Sequence, residues 1–370
     1  GRRFCALPTG RCGSCWSRAA AASYVLGVIC ALVLTVLSVT FLYPMLRILN
    51  TPDNLIEDAH RYIVIIFAGM IISVFYNVCM GILRAIGDTV TPLIFLALSA
   101  VLNIAGDYIC LAVLDMNVEG AAYATLVSQM AAGIACIIYS VKRYECICFT
   151  WQQCRVDSVL ARSMMSSGFS MGFMNSIVSL GTVSLQGAIN TLGDSYIVAH
   201  SAARKITELF MMIFSVFGMT MATFCGQNIG AGRTDRVRRG IWHSILISWV
   251  WCVMTATAAW LAGPWFIHLV TGSSSDEVLA TGALYLRVDT LFYFVPAVIA
   301  IIRNAMQGIG DHSTPIISST IELIGKVLIA IMLVPYLRYT AIIIAEPIVW
   351  ILMVIPLIVQ ILRNPALKPE

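Results

Sequence analysis

Ile86-Gly87-Asp88-Thr89-Val90-Thr91-Pro92 returns, at an offset of 223 residues, as Ile309-Gly310-Asp311-His312-Ser313-Thr314-Pro315. The same offset pairs Tyr62 with Tyr285. Upstream, Pro44, Leu49 and Thr51 match Pro264, Leu269 and Thr271 at an offset of 220, as if three residues were inserted in between. Self-similarity at a fixed offset marks a repeated architecture. Each copy also has its own local physics. Gly87 and Gly310 can end a helix in the left-handed conformation. Thr91 or Thr314 then caps the next helix, with Pro92 or Pro315 in its first turn. Gly87, Asp88, Pro92, Gly310, Asp311 and Pro315 thus read as structural or gating residues of two equivalent helix–turn–helix connectors.

The surroundings of the motif decide what kind of helices it joins. Of the 370 residues, 59% are apolar and only 11% are charged, and the mean hydropathy is +0.87. A soluble domain carries roughly 25% charged residues. That shortage excludes an ordinary soluble enzyme, a nucleic-acid binder and a disordered regulator. Stretches 19–46, 62–83, 89–106, 120–141, 163–193 and 240–275 contain no Asp, Glu, Lys or Arg. Each is long enough to cross the hydrocarbon core, which needs about 17–25 residues. Four more stretches, near 195–228, 279–307, 313–336 and 339–362, carry isolated charges. None alternates apolar with polar residues, so strands of a barrel are not expected. The prediction is an all-α polytopic membrane protein with ten transmembrane helices.

Basic residues cluster on one side of this topology, as the positive-inside bias requires. If both ends are cytoplasmic, that side takes Arg2, Arg3, Arg11, Arg18, Arg84, Lys142, Arg143, Arg155, Arg162, Arg233, Arg236, Arg238, Arg239, Arg303, Arg363 and Lys368, most of the 23. The opposite loops hold Arg47, Arg61 and Arg338 and are richer in acids, among them Asp53, Glu57, Asp58, Asp115, Glu119, Asp276 and Glu277. Both motif copies then fall in cytoplasmic turns, so the halves run parallel, six helices apart. Parallel repeats about an axis along the membrane normal are a transporter architecture with its site between lobes. The polar linker 142–162 makes the boundary: an N-terminal lobe over 1–150 and a C-terminal lobe over 151–370. Cys5, Cys12, Cys15, Cys146, Cys148 and Cys154 have no histidine at zinc-site spacing and read as reduced thiols, so no metal site is expected.

Ionisable residues at membrane depth are expensive and usually functional. They concentrate in the C-terminal half: Arg204, Lys205, Glu208, Arg287, Asp289, Glu322, Lys326 and Glu346. Glu322 and Lys326 sit four apart, so both leave one face of a helix in the favourable acid-to-base order. Glu346 on the next helix is the natural third member, with Asp289 and Glu208 the further candidates for ion coupling or substrate contact. A neutral network that only holds the lobe together is the competing reading. Arg84 and Arg303, near cytoplasmic helix ends, read as structural or gating, Arg303 through carbonyls of the adjacent turn. Eight methionines (164, 165, 171, 174, 211, 212, 219 and 221) fit either packing or an adaptable binding wall.

The stretch Gly81-Ile82-Leu83-Arg84-Ala85-Ile86-Gly87-Asp88, running into Thr91-Pro92 and Leu102-Asn103, resembles the multidrug and toxic compound extrusion (MATE) family. So do Gly226-Gln227-Asn228-Ile229-Gly230-Ala231-Gly232-Arg233 and Arg303-Asn304-Ala305-Met306-Gln307-Gly308-Ile309-Gly310-Asp311. The resemblance runs from about residue 19 onward. It implies a twelve-helix, two-lobe fold that exports organic cations or other amphiphiles in exchange for H⁺ or Na⁺. The ten visible helices match the family's third to twelfth, so the family's first two helices, with the coupling carboxylate one branch carries there, are expected to be missing and the chain not to transport alone. Another branch has a glutamate on the first helix of the C-terminal lobe, where stretch 163–193 has no acid.

The function expected from this resemblance is a secondary-active multidrug exporter, a cation-coupled antiporter working by alternating access between two lobes. It would be a monomer in the plasma (inner) membrane, with an amphiphilic or cationic small molecule, H⁺ or Na⁺ and the bilayer as its partners. No cofactor, metal or nucleic acid is expected. The alternatives are a lipid-linked sugar flippase of the same superfamily and a non-functional truncated fragment. A flippase would favour a strongly cationic cavity, whereas four embedded bases here face four embedded acids. An intramembrane enzyme would need a catalytic set such as HExxH; none occurs, and the five histidines are scattered.

Overall fold

A computed structural model describes residues 12–48, 53–144 and 158–364 of the chain, and all of its regular structure is helical. The helices are α1 (Cys12–Ile48), α2 (Asp53–Ala68), α3 (Met70–Ile86), α4 (Val90–Tyr108), α5 (Val118–Arg143), α6 (Ser158–Ile189), α7 (Asp194–Gly230), α8 (Thr234–Thr271), α9 (Asp276–Leu291), α10 (Phe294–Ile309), α11 (Ser313–Leu328), α12 (Val334–Leu337) and α13 (Tyr339–Arg363). The chain divides into two compact units, Gly1–Met165 and Ser166–Glu370. Cys5, Cys146, Cys148 and Cys154 lie outside the described residues, as do Arg2, Arg3, Arg11, Arg155 and Lys368 of the charge argument.

Among the described residues, seven helices are long and apolar enough to cross a membrane, or nine if each bent pair counts as one span. The bent pairs are α2 with α3, broken by 48° at Gly69, and α9 with α10, broken by 55°. The tenth expected span, α6, is a continuous 32-residue helix but is not among those nine. Its composition explains the exception: Asn175, Ser176 and Ser179 stand among the exposed Phe173, Leu180 and Val183 and lower the mean hydropathy of the helix.

The repeat read from the sequence is written into the backbone break by break. Helices α1 and α8 each hold a proline, Pro44 and Pro264. Helices α3 and α10 each follow a break and end on a glycine, Gly87 and Gly310, at φ 97°. Only a residue without a Cβ adopts that conformation freely. Helices α4 and α11 each run into a five-residue π-helical turn, Ile109–Val113 and Ile329–Leu333. The second is followed by Pro335, which lacks the N–H that a continuing helix would need.

One local expectation is corrected. Thr91 and Thr314 do not cap the helices that follow them; the aspartates do. Asp88 Oδ1 accepts the Thr91 N–H at 3.0 Å. Asp311 Oδ1 accepts the N–H groups of Ser313 and Thr314, each at 3.1 Å, while the Thr314 hydroxyl donates to Oδ2 at 2.7 Å. An ionised carboxylate offers two acceptor oxygens and meets the positive end of the helix dipole, so it displaces the hydroxyl from the capping role. Each aspartate also reaches a helix end of its own unit. The Tyr144 hydroxyl, just past α5, donates to Asp88 Oδ2 at 2.7 Å, and Gln360 Nε2 on α13 donates to Asp311 Oδ2 at 3.1 Å. Burial and the Asp88 carboxylate push the Tyr144 phenol up to about 12.

Burial alone would raise the carboxyl of Asp311, but the hydrogen bonds from Thr314, Gln360 and Ser313 outweigh it and hold the group below its ordinary value. A depressed carboxyl contributes stability above the unfolded value of about 3.9, and that contribution is lost as pH falls through the folded value. Asp311→Ala is therefore expected to cost about 1 kcal/mol at neutral pH, as for other helix caps. The gap between the two proteins should close as pH is lowered below about 4. Denaturant unfolding of the detergent-solubilised pair across that range checks this, and a gap independent of pH would contradict it.

Candidate functional site

The buried face of α11 is polar: Thr314, Ser318, Ser319, Glu322 and Lys326 point inward. A transmembrane helix in that orientation needs partners inside the protein, because hydrocarbon offers none. Helix α13 supplies Glu346 and α7 supplies Arg204. Lys326 Nζ lies 2.9 Å from Glu322 Oε1 and 3.1 Å from Glu346 Oε1. Arg204 closes the row from the other side, its Nη1 at 3.4 Å from the same Glu346 oxygen. Glu322, Lys326 and Glu346 are 6%, 3% and 3% exposed. Two cations and two carboxylates thus make a neutral quartet. Helix α6 closes over it at Gly181, which lies against the Lys326 stem.

The other embedded charges fall around this quartet in distinct ways. Glu208, one turn from Arg204 on α7, touches it only at 4.0 Å and keeps a side chain 69% exposed. Asp289 on α9 is fully buried. Its Oδ2 accepts the Thr207 hydroxyl at 3.4 Å, and its Oδ1 has no hydrogen-bond partner. Tyr285 and Tyr293, one turn before and after it, are both buried, with Tyr293 reaching toward Asp289 and Thr207 and Tyr285 toward Arg204. A buried carboxylate flanked by such phenols is chemically able to take a proton or a small cation. His200 extends this polar region: its ring packs edge-on against Tyr285 at 4.8 Å, and its Nδ1 is 3.4 Å from the Tyr339 hydroxyl.

Two further expectations are corrected. Arg303 does not bind carbonyls of the adjacent turn. It turns inward, and Nη1 donates to Ser319 Oγ at 3.2 Å, because the polar face of α11 comes closer than the turn does. Arg287 stays out of the neutral pairing. Its Nη2 donates to the Trp260 carbonyl at 3.3 Å and the guanidinium lies over the Trp260 ring at 5.7 Å. Arg84 hydrogen-bonds one turn back, to the Met80 carbonyl at 3.3 Å. The methionines divide: Met174 and Met221 are buried, and Met171, Met212 and Met219 are exposed.

Sequence reading missed Tyr285, Tyr293, Thr207 and His200 around Asp289. The spacing i−4 and i+4 of the two tyrosines puts them on the face of Asp289, a signal that was present. Nothing in the sequence marks Thr207 or His200. No group of three or more His, Cys, Asp and Glu able to hold a metal ion occurs among the described residues.

The MatE family model matches residues 16–109 and 170–332. The Probable multidrug resistance protein YpnP of Bacillus subtilis is 27% identical over 255 residues, covering 67% of this chain and 55% of that protein. The Probable multidrug resistance protein YoeA of the same organism is 27% identical over 245 residues, covering 63% of this chain and 52% of its own length. The chain therefore spans about half of these relatives. Among solved structures, a multidrug resistance MATE family transporter of the MOP superfamily in an outward-facing conformation superposes with a TM-score of 0.87 at 22% identity, covering 97% of this chain and 84% of the other. A MOP superfamily transporter from Pyrococcus furiosus, described as having a binding pocket of reverse polarity, gives 0.86 at 22%.

Proposed function

The chain belongs to the MATE family, and on that premise we propose that it works as a secondary-active multidrug exporter, a cation-coupled antiporter that alternates access to an amphiphilic or cationic small molecule. The observation that carries this reading is the quartet of Arg204, Glu346, Lys326 and Glu322 inside membrane helices. Buried ion pairs of this kind add little net stability compared with well-packed apolar residues. Their presence at membrane depth therefore favours a working role. Opening one pair by binding a proton gives a gradient a group on which to act. Glu322 is the first candidate for that group, with Glu346, Asp289 and Glu208 behind it, and Lys326 is the cation that the carboxylates share. The names of the Bacillus relatives support drug export in the same sense.

In this proposal the lobes are 1–150 and 151–370, both ends of the chain face the cytoplasm, and a monomer sits in the plasma membrane. It needs no cofactor beyond an H⁺ or Na⁺ gradient. Arg84, Asp88 and Asp311 hold the cytoplasmic ends of the helices, and Arg303 acts through Ser319 of α11. The test is efflux of a fluorescent cationic dye, under imposed pH or Na⁺ gradients, from cells expressing the chain together with the two N-terminal helices that the family resemblance implies. One of the two gradients is expected to drive dye out, and collapsing it should stop the flux. Efflux indifferent to both gradients would overturn the coupling, and no efflux above that of control cells would overturn the exporter.

A further inference from the structure

Two cysteines of the N-terminal unit are in contact although they are distant in sequence. Cys79 on α3 and Cys136 on α5 are 57 residues apart, and their sulfurs stand 3.1 Å from each other. Both are free thiols, 3% and 0% exposed, closed in by Tyr76, Met80, Leu83 and Ala132. The Tyr24 phenol of α1 hydrogen-bonds the Cys79 sulfur, and Ser140 Oγ lies 4.0 Å from each of the two. A thiol in such a place usually serves as a small hydrophobe. Two observations set this pair apart. Cys225 and Cys252 are just as buried, yet neither meets a second thiol among the described residues. At the 223-residue offset the position of Cys79 holds Ile302, also buried, so a plain aliphatic side chain meets the packing need at this point of the repeat.

We infer that Cys79 and Cys136 form a reversible oxidation site, a dithiol that a membrane-soluble hydroperoxide converts to a disulfide clasping α3 to α5. It stands apart from the exporter reading and does not depend on it. The sulfurs need to close by only about 1 Å to reach bonding distance. Cys79 is the sulfur that attacks, because the Tyr24 phenol is placed to donate to the charge that develops there. It takes the terminal oxygen of the hydroperoxide; the O–O bond breaks, and the alcohol leaves with the thiol proton. Cys136 then attacks the sulfenic acid on Cys79. The S–O bond breaks, the S–S bond forms, and water leaves with the second proton. The two sulfurs together give up two electrons, and the peroxide takes them. Held in contact, the second thiol reacts intramolecularly, ahead of any thiol from solution. In a reducing compartment such a bond is transient and serves sensing. The clasp joins the same two helices whose ends Tyr144 and Asp88 already connect at 2.7 Å, and so fixes them at a second level.

Cumene hydroperoxide, an apolar peroxide, tests this on the purified full chain in detergent. After treatment the protein is unfolded in dodecyl sulfate, its remaining thiols are blocked with iodoacetamide, and its peptides are mapped by mass spectrometry. One linked peptide pair, joined through Cys79 and Cys136, is expected, while Cys225 and Cys252 are recovered alkylated. Dithiothreitol should return both sulfurs to the alkylated pool. The bond closes a loop of 57 residues, so the thermal midpoint of the oxidised protein should rise by about 5 °C and fall back on reduction. Cys136→Ala removes the resolving thiol, and the sulfenic acid on Cys79 should then persist and be captured by dimedone. The peptide map of the unaltered chain decides the question even where that variant fails to fold. Recovery of Cys79 and Cys136 both as alkylated thiols after treatment would overturn the site, and so would a map in which either sulfur is bonded to a different cysteine.

Discussion

Lys326→Met, made alone, is expected to destabilise the protein by about 3–5 kcal/mol, the usual cost of breaking a buried ion pair by removing one partner. The ammonium stands between two carboxylates, 2.9 Å from Glu322 and 3.1 Å from Glu346. Methionine fills its volume but leaves both acids buried, with Arg204 paired, of the two, only to Glu346 and Arg303 held beside Glu322 through Ser319. The second half of the expectation separates charge from packing. Adding Glu322→Gln to Lys326→Met restores a one-to-one match between Glu346 and Arg204, and most of the lost stability should return. Thermal unfolding of the three proteins in one detergent, followed by size-exclusion fluorescence, gives the comparison. A Lys326→Met protein as stable as wild type would mean that the ammonium is dispensable and the quartet is not the compensated unit its distances describe.

How much of this could be read without coordinates depends on how local each interaction is. The connectors were legible because their geometry is set within seven residues: a glycine at positive φ, a polar turn, then proline in the first turn of the next helix. The capping residue was misassigned because Asp and Thr compete for the same N–H groups, and only the geometry shows that the carboxylate accepts two N–H groups and a hydroxyl at Asp311. The Glu322–Lys326 pair follows from helix periodicity alone. Glu346 could be suspected from its place on the following helix, but Arg204, 142 residues away in sequence, joins only through the packing of α7. Tyr144 and Gln360 were invisible, since they hold equivalent aspartates in the two units by different chemistry and share no repeat offset. Arg287 was misread because composition counts charges without saying that an indole and a carbonyl can satisfy one. The bends within α2–α3 and α9–α10 split two expected spans while preserving their length, which is why the number of helices and the number of crossings differ.

Glu322→Gln is expected to uncouple transport while leaving the fold intact. The argument is one of contacts. Glu346 faces two cations, Lys326 at 3.1 Å and Arg204 at 3.4 Å, so neutralising it gives up two ion-pair contacts. Glu322 makes one ion-pair contact, with Lys326 at 2.9 Å, and neutralising it leaves Lys326 still paired with Glu346. Of the two carboxylates, Glu322 is thus the one whose protonation disturbs the quartet less. Arg303 on α10 stands next to the same stretch of α11 through Ser319, so a proton arriving at Glu322 also changes what that guanidinium faces. Glutamine keeps the shape and a hydrogen bond to Lys326 but has no charge to give up. Gradient-driven dye efflux should fall on the order of 10–100-fold, the range of ordinary coupling energies between sites, while dye binding and expression stay near wild type. A purely structural role makes the opposite forecast: Glu322→Gln with Lys326→Met, which removes both charges together, should then preserve ion-coupled efflux. Normal gradient-driven efflux by a well-folded Glu322→Gln protein would take this residue out of the mechanism and move the search to Asp289, whose Oδ1 is buried without a partner.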